Sequence, residues 1–90
     1  MTKFLKMTYQ YLPKVPGEKC REILVRDHYE YGGVVYRLRL TINNEVMQVQ
    51  HVLHIQEIQS FLDPEQLEIR VMAKLCSAMR AHLRNISVLK

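Results

Sequence analysis

The residues of this chain that could do chemistry are few and dispersed. His51 and His54 form a His-x-x-His pair. On a strand, residues three apart point to opposite faces, so the pair cannot supply two ligands of the set that zinc requires. Cys20 and Cys76 carry thiols, yet the sequence sets no base beside either one to activate it. Gly32-Gly33 is followed by neither a helix start nor a lysine, so it is not a phosphate-cradling loop. No Gly-x-Ser-x-Gly elbow occurs, and the serines come late in the chain. One cluster remains. The strand register worked out below gathers Asp27, Tyr29, Tyr36 and His51 on an otherwise apolar sheet face, with His82 pointing toward the same layer from a helix. Buried polar groups need partners, and the plainer reading is a hydrogen-bonded plug at the edge of the core. The alternative is a small pocket with a His–Tyr pair able to move protons. No catalytic residue, cofactor or metal is assigned on this basis, and the chain is not read as an enzyme.

The elements that position these residues follow from hydrophobic period. Leu5, Met7, Tyr9 and Tyr11 alternate with Lys6, Thr8 and Gln10, which predicts a strand over about 3–12. Pro13 to Lys19 holds two prolines and a glycine and reads as a loop. Gly32-Gly33 is a two-residue hairpin signal; with it as the turn, Tyr29 opposes Tyr36, Asp27 opposes Leu38, Val25 opposes Leu40 and Ile23 opposes Ile42. Asn43-Asn44 tolerates positive φ and sets Leu40 against Met47, Leu38 against Val49 and Tyr36 against His51. Both hairpins put the same apolar set on one face, an agreement that a one-residue slip would destroy. Asp63, Pro64 and Gln66 make a helix start with a capping box, and a short helical turn fits at 56–61. The predicted fold is α+β: an antiparallel meander of three to four strands (about 3–12, 21–31, 34–42 and 46–55) packed against one long C-terminal helix (about 64–85). The chain is read as one domain, with arm and loop at 1–20, meander at 21–55, connector at 56–62, and helix and tail at 63–90.

The faces of these elements suggest what the chain binds. The apolar arc of the C-terminal helix spans about 200°, wider than the stripe of about 100° that covers a sheet. Either the N-terminal arm or residues 56–62 cover the surplus, or Ile69, Met72, Cys76 and Leu83 form an interface with a second copy or another protein. The opposite arc carries Arg70, Lys74, Arg80 and Arg84 and no acid. On the outer face of the sheet the register sets Arg26 beside Arg39 and Gln48, and His28 beside Arg37 and Gln50, with Lys6, Thr8 and Gln10 joining them. Such faces suit phosphates or a carboxylate-rich protein surface, or are simply solvated. The tyrosines fall on the core face, which leaves no stacking platform for single-stranded nucleic acid.

Length and charge bound the rest. Ninety residues make one small domain with a modest core, for which self-association is a common remedy. Thirteen basic against nine acidic side chains give a net charge of +4, mild for a dedicated nucleic-acid binder. No apolar run approaches the roughly 20 residues of a membrane span. The N-terminus has no apolar core and no small-residue cleavage site, so a cytoplasmic protein with two reduced, packed thiols is expected. In size and plan, though in no motif, the chain resembles small accessory proteins of phages and mobile elements, including inhibitors of host defence; that resemblance implies the host cytoplasm. The expectation is a small binding protein acting through protein–protein contacts, with double-stranded nucleic-acid backbone binding as the alternative.

Overall fold

The computed structural model describes residues 3–28, 32–60 and 63–89. The elements run α1 (Lys3–Tyr11), β1 (Glu18–His28), β2 (Gly33–Ile42), β3 (Glu45–Leu53), α2 (Ile55–Ser60) and α3 (Pro64–Asn85). The strands form one antiparallel sheet in the order β1-β2-β3. Leu38, Leu40 and Ile42 of the central strand meet Leu67, Val71, Leu75 and Met79 of α3, all buried in one core. The α+β meander with its long C-terminal helix is therefore as predicted.

The predicted N-terminal strand is instead a helix. The alternation of Leu5, Met7, Tyr9 and Tyr11 competes with a helical stripe of Phe4, Met7, Thr8, Tyr11 and Leu12, spaced i, i+3, i+4, i+7 and i+8. The stripe prevails because it has something to cover. Thr8 and Leu12 are buried, and Phe4, Met7 and Tyr11 pack against the core. Nine residues with no acid in the first turn and no base in the last are a poor helix in isolation, so α1 depends on docking. Lys6, Thr8 and Gln10 consequently do not join the sheet, and Thr8 lies in the interior.

Arg21 fastens α1 and the proline loop to β1. Its guanidinium holds the Glu18 carboxylate from Nε at 3.1 Å and from one terminal nitrogen at 2.7 Å. It also donates to the carbonyl of Leu12 at 2.7 Å and to that of Pro13 at 3.4 Å. Tyr9 lays its ring 4.0 Å from the guanidinium carbon, and the Val15 amide donates to Glu18. Both charges are buried.

The β2–β3 register matches the prediction, with Leu40 opposite Met47, Leu38 opposite Val49 and Tyr36 opposite His51. Asn43 and Asn44 both take positive φ, 52° and 68°, as a tight hairpin turn requires. The β1–β2 register is displaced by four residues. Ile23 opposes Leu38, Val25 opposes Tyr36 and Asp27 opposes Val34. The last pair is His28 with Gly33, so Gly32-Gly33 does not form a two-residue turn. Gly33 is itself in β2, where a β-carbon would lie 2.1 Å from the Leu53 carbonyl. An even displacement keeps side chains on their faces while changing every partner.

Asp63 caps α3, its carboxylate accepting from the Glu65 amide at 3.0 Å, with Pro64 in the first turn. At the other end Ser87 adopts φ 62°. The amides of Ser87 and Val88 donate to the carbonyls of Arg84 and Leu83, a Schellman closure that folds Val88 and Leu89 back onto the core.

Candidate functional site

With α1 and α3 on one side of the sheet, the other side is free of helices among the described residues. Four cross-strand rows compose it: Arg26–Val35–Val52, Leu24–Arg37–Gln50, Glu22–Arg39–Gln48 and Cys20–Thr41–Val46. Only Val35 among these is buried, at 8% exposure, and it is not part of the helix-side core. Arg39 donates to the Gln48 side-chain oxygen from two nitrogens, at 3.2 and 3.0 Å, and Arg37 reaches Gln50 at 3.4 Å. These bonds hold two guanidinium groups flat across the strands while their charge stays accessible.

The composition of this face corrects the sequence reading. Arg26 lies opposite Val35, not beside Arg39, and Glu22 takes the place opposite Arg39. The face is thus part apolar and carries one acid against three arginines. Leu24, Val35, Val46 and Val52 were missed as members. The signal was present in Val34-Val35-Tyr36, three apolar residues running through a strand that otherwise alternates.

Among the described residues the polar cluster does not assemble. Asp27 is exposed and opposite Val34, and Tyr29 lies outside the described residues. His82 is exposed near the C-terminal end of α3, whereas His51 lines a cleft with Leu67, Arg70, Val71 and Lys74. At about 1.5 Å per residue the two histidines are separated by roughly 12 Å or more along the helix. Tyr36 and His51 do face each other in register. The Tyr36 ring meets Phe4 edge-on at 5.9 Å, and burial, with the Glu68 charge, raises its pKa. Tyr36 is part of the buried core.

The helix edge proposed as an interface is already covered. Met72, Cys76 and Leu83 are all 0% exposed and Ile69 is half-buried. The Cys76 thiol donates to the Thr8 carbonyl of α1 at 3.6 Å, so α1 occupies the surplus arc. On the basic arc, Arg70, Lys74 and Arg84 are exposed, but Arg80 turns inward to donate to the Tyr11 carbonyl. The exposed cations of α3 and the arginines of the sheet therefore lie on opposite sides of the molecule.

Cys20 is exposed rather than packed, and no disulfide joins it to buried Cys76. Desolvation by its neighbours and the hydrogen bond to Glu22 raise the Cys20 thiol pKa; burial does the same for Cys76. Neither thiol is shifted toward the thiolate. Among the described residues no group of three or more His, Cys, Asp or Glu side chains could hold a metal ion, and no helix is long and apolar enough to cross a membrane. No protein-family model, no curated protein and no solved structure matches this chain.

Proposed function

We propose that this chain is a non-catalytic binding protein that docks an acidic protein surface on the helix-free face of its sheet. The observation that carries this reading is the mixture on that face. Leu24, Val35 and Val52 make an apolar patch toward one end of the face, beside Arg26 and Arg37 and one row from Arg39. Arginine beside apolar surface is typical of interface cores, and three guanidinium groups against one carboxylate favour a partner bearing acids. Four rows of three strands cover roughly 20 by 10 Å, well below the roughly 800 Å² per partner of a standard interface. The partner must therefore extend over the strand ends. Such a protein acts by occupying its target, as an inhibitor or adaptor does, which suits the accessory-protein style of the sequence. Self-association through α3 is not part of this reading, because its apolar edge is spent on α1.

Duplex binding is less well supported, because one duplex cannot engage basic surfaces on opposite sides of a molecule about 24 Å thick. The test is affinity capture from nuclease-treated lysate, run with wild type, Arg37→Glu/Arg39→Glu and Arg70→Glu/Lys74→Glu. Specific protein capture lost only in the sheet pair supports the proposal. Equal capture by all three refutes it. Tight, steeply salt-dependent binding of wild type to mixed-sequence duplex would put the nucleic-acid reading first.

A further inference from the structure

On the helix side, away from the sheet face just discussed, β3, α2 and α3 enclose a cleft of about 210 Å³. Its size selects the ligand first. Sites for drug-sized molecules run to about 300–1,000 Å³, so this one takes a group of a few heavy atoms. Its walls select the chemistry. Leu53, Leu67 and Val71 supply apolar lining. Arg70 and Lys74, four residues apart and hence on one face of α3, bring two cations to the same opening. Across from them stand His51 of β3 and, from α2, Ser60 and Glu57. The Ser60 hydroxyl donates to the Glu57 carbonyl at 2.8 Å.

We propose that this cleft binds a small branched aliphatic carboxylate, its tail on the leucine and valine lining and its carboxylate between Arg70 and Lys74. The charge of Lys74 already acts on the cleft interior. It adds to desolvation in holding the His51 imidazole below its ordinary pKa, against the weaker opposite pull of Glu57. His51 therefore stays neutral at pH 7, able to donate one hydrogen bond without competing for the role of counter-ion. Glu57 sets the upper limit on ligand charge. Its carboxylate at the same opening disfavours a dianion such as phosphate, and the apolar lining gives nothing to an inorganic ion. The same chemistry is offered by a free short-chain acid and by the carboxyl terminus of a peptide ending in leucine.

The experiment is an amide-resolved NMR titration of the full chain with isovalerate, isoamylamine, inorganic phosphate, and a short peptide ending in leucine as free acid or as amide. Isovalerate should give saturable shifts at millimolar concentration confined to residues around 51–60 and 67–74. Phosphate and isoamylamine should bind at least tenfold more weakly. Binding by the free-acid peptide alone would assign the cleft to a chain terminus; binding by isovalerate as well assigns it to small acids. Lys74→Glu and Arg70→Gln change exposed positions, leave the fold intact by circular dichroism, and should each weaken binding at least tenfold. The proposal is overturned if neither carboxylate binds saturably, if the amine or the amide peptide binds as well, if phosphate matches isovalerate, or if the shifts centre elsewhere.

Discussion

The pair of Arg21 and Glu18 holds more of this fold than its surroundings suggest, and removing one partner has a calculable consequence. All three guanidinium nitrogens are engaged, with Glu18, the Leu12 and Pro13 carbonyls, and the Thr8 hydroxyl. The Arg21 side chain in the ion pair is 0% exposed and that of Glu18 2%. Arg21→Met keeps the alkyl stem but leaves a buried carboxylate whose remaining donors are the Val15 amide and, at 3.5 Å, the Tyr9 hydroxyl. Breaking a buried pair in this way costs about 3–5 kcal/mol. A chain of this length has a total stability of about 5–14 kcal/mol, and each kcal/mol is worth about 4–8 °C. The melting temperature should therefore fall by roughly 12–40 °C. Glu18→Gln should cost somewhat less, because a neutral amide can still accept from Arg21. The double variant should be better than the sum of the two singles by about 1–3 kcal/mol, the usual coupling of residues in contact. Urea denaturation of all four proteins, followed by circular dichroism, measures the cycle. Single-variant losses under about 1 kcal/mol, or strict additivity, would refute the reasoning. A second readout follows from geometry. Loosening α1 uncovers Met72, Cys76 and Leu83, so Arg21→Met should self-associate in light scattering at concentrations where the wild type does not.

Two further outcomes are expected. Ser87 holds a left-handed conformation that costs an L-residue about 1–2 kcal/mol, so Ser87→Gly should stabilise the chain by on the order of 1 kcal/mol; a lower melting temperature would show that the serine side chain compensates. Desolvation, aided by Lys74, holds the folded pKa of His51 below the ordinary 6.5. Between those two values the unfolded chain takes up the proton and the folded chain does not, so this contribution is whole above about pH 6.5 and is lost as pH falls through the lower folded value. His51→Gln should accordingly lose less stability than wild type between about pH 7.5 and 5, and an identical pH slope would sink the assignment.

How far the fold was legible depended on whether a local signal had a rival. Asn43-Asn44 had none, and β2–β3 closed in the expected register. Asp63-Pro64 likewise fixed the start of α3. Residues 3–11 satisfied both the strand and the helix period, and the decision lay in the over-wide arc of α3, some 65 residues downstream. Gly32-Gly33 fitted a two-residue turn as well as the end of a longer connection. The longer one leaves Gly33 in the strand, where only a residue without a side chain clears the Leu53 carbonyl. That constraint belongs to a third strand, which no reading of the hairpin alone contains.

The candidate sites failed or survived for the same reason. Parity is robust to an even slip, so Arg37 and Arg39 stayed on the outer face although their β1 neighbours changed. Proximity is not robust. A four-residue displacement moves a cross-strand partner by about 13 Å along the strand, which is enough to strip Asp27 from Leu38 and to seat Glu22 opposite Arg39. A surface defined by which face a residue is on was therefore recoverable, whereas a cluster defined by which residues touch was not. The cleft at His51 belongs to the second kind. It needs the β3 end, a six-residue helix and the first turns of α3 brought together, and Glu57 and Ser60 gave no sign of it in one dimension. The surplus arc of α3 shows what such a surface becomes once another element is counted. With α1 in place it is interior, whereas among the described residues the mixed face of the sheet and the small opening between α2 and α3 stay uncovered.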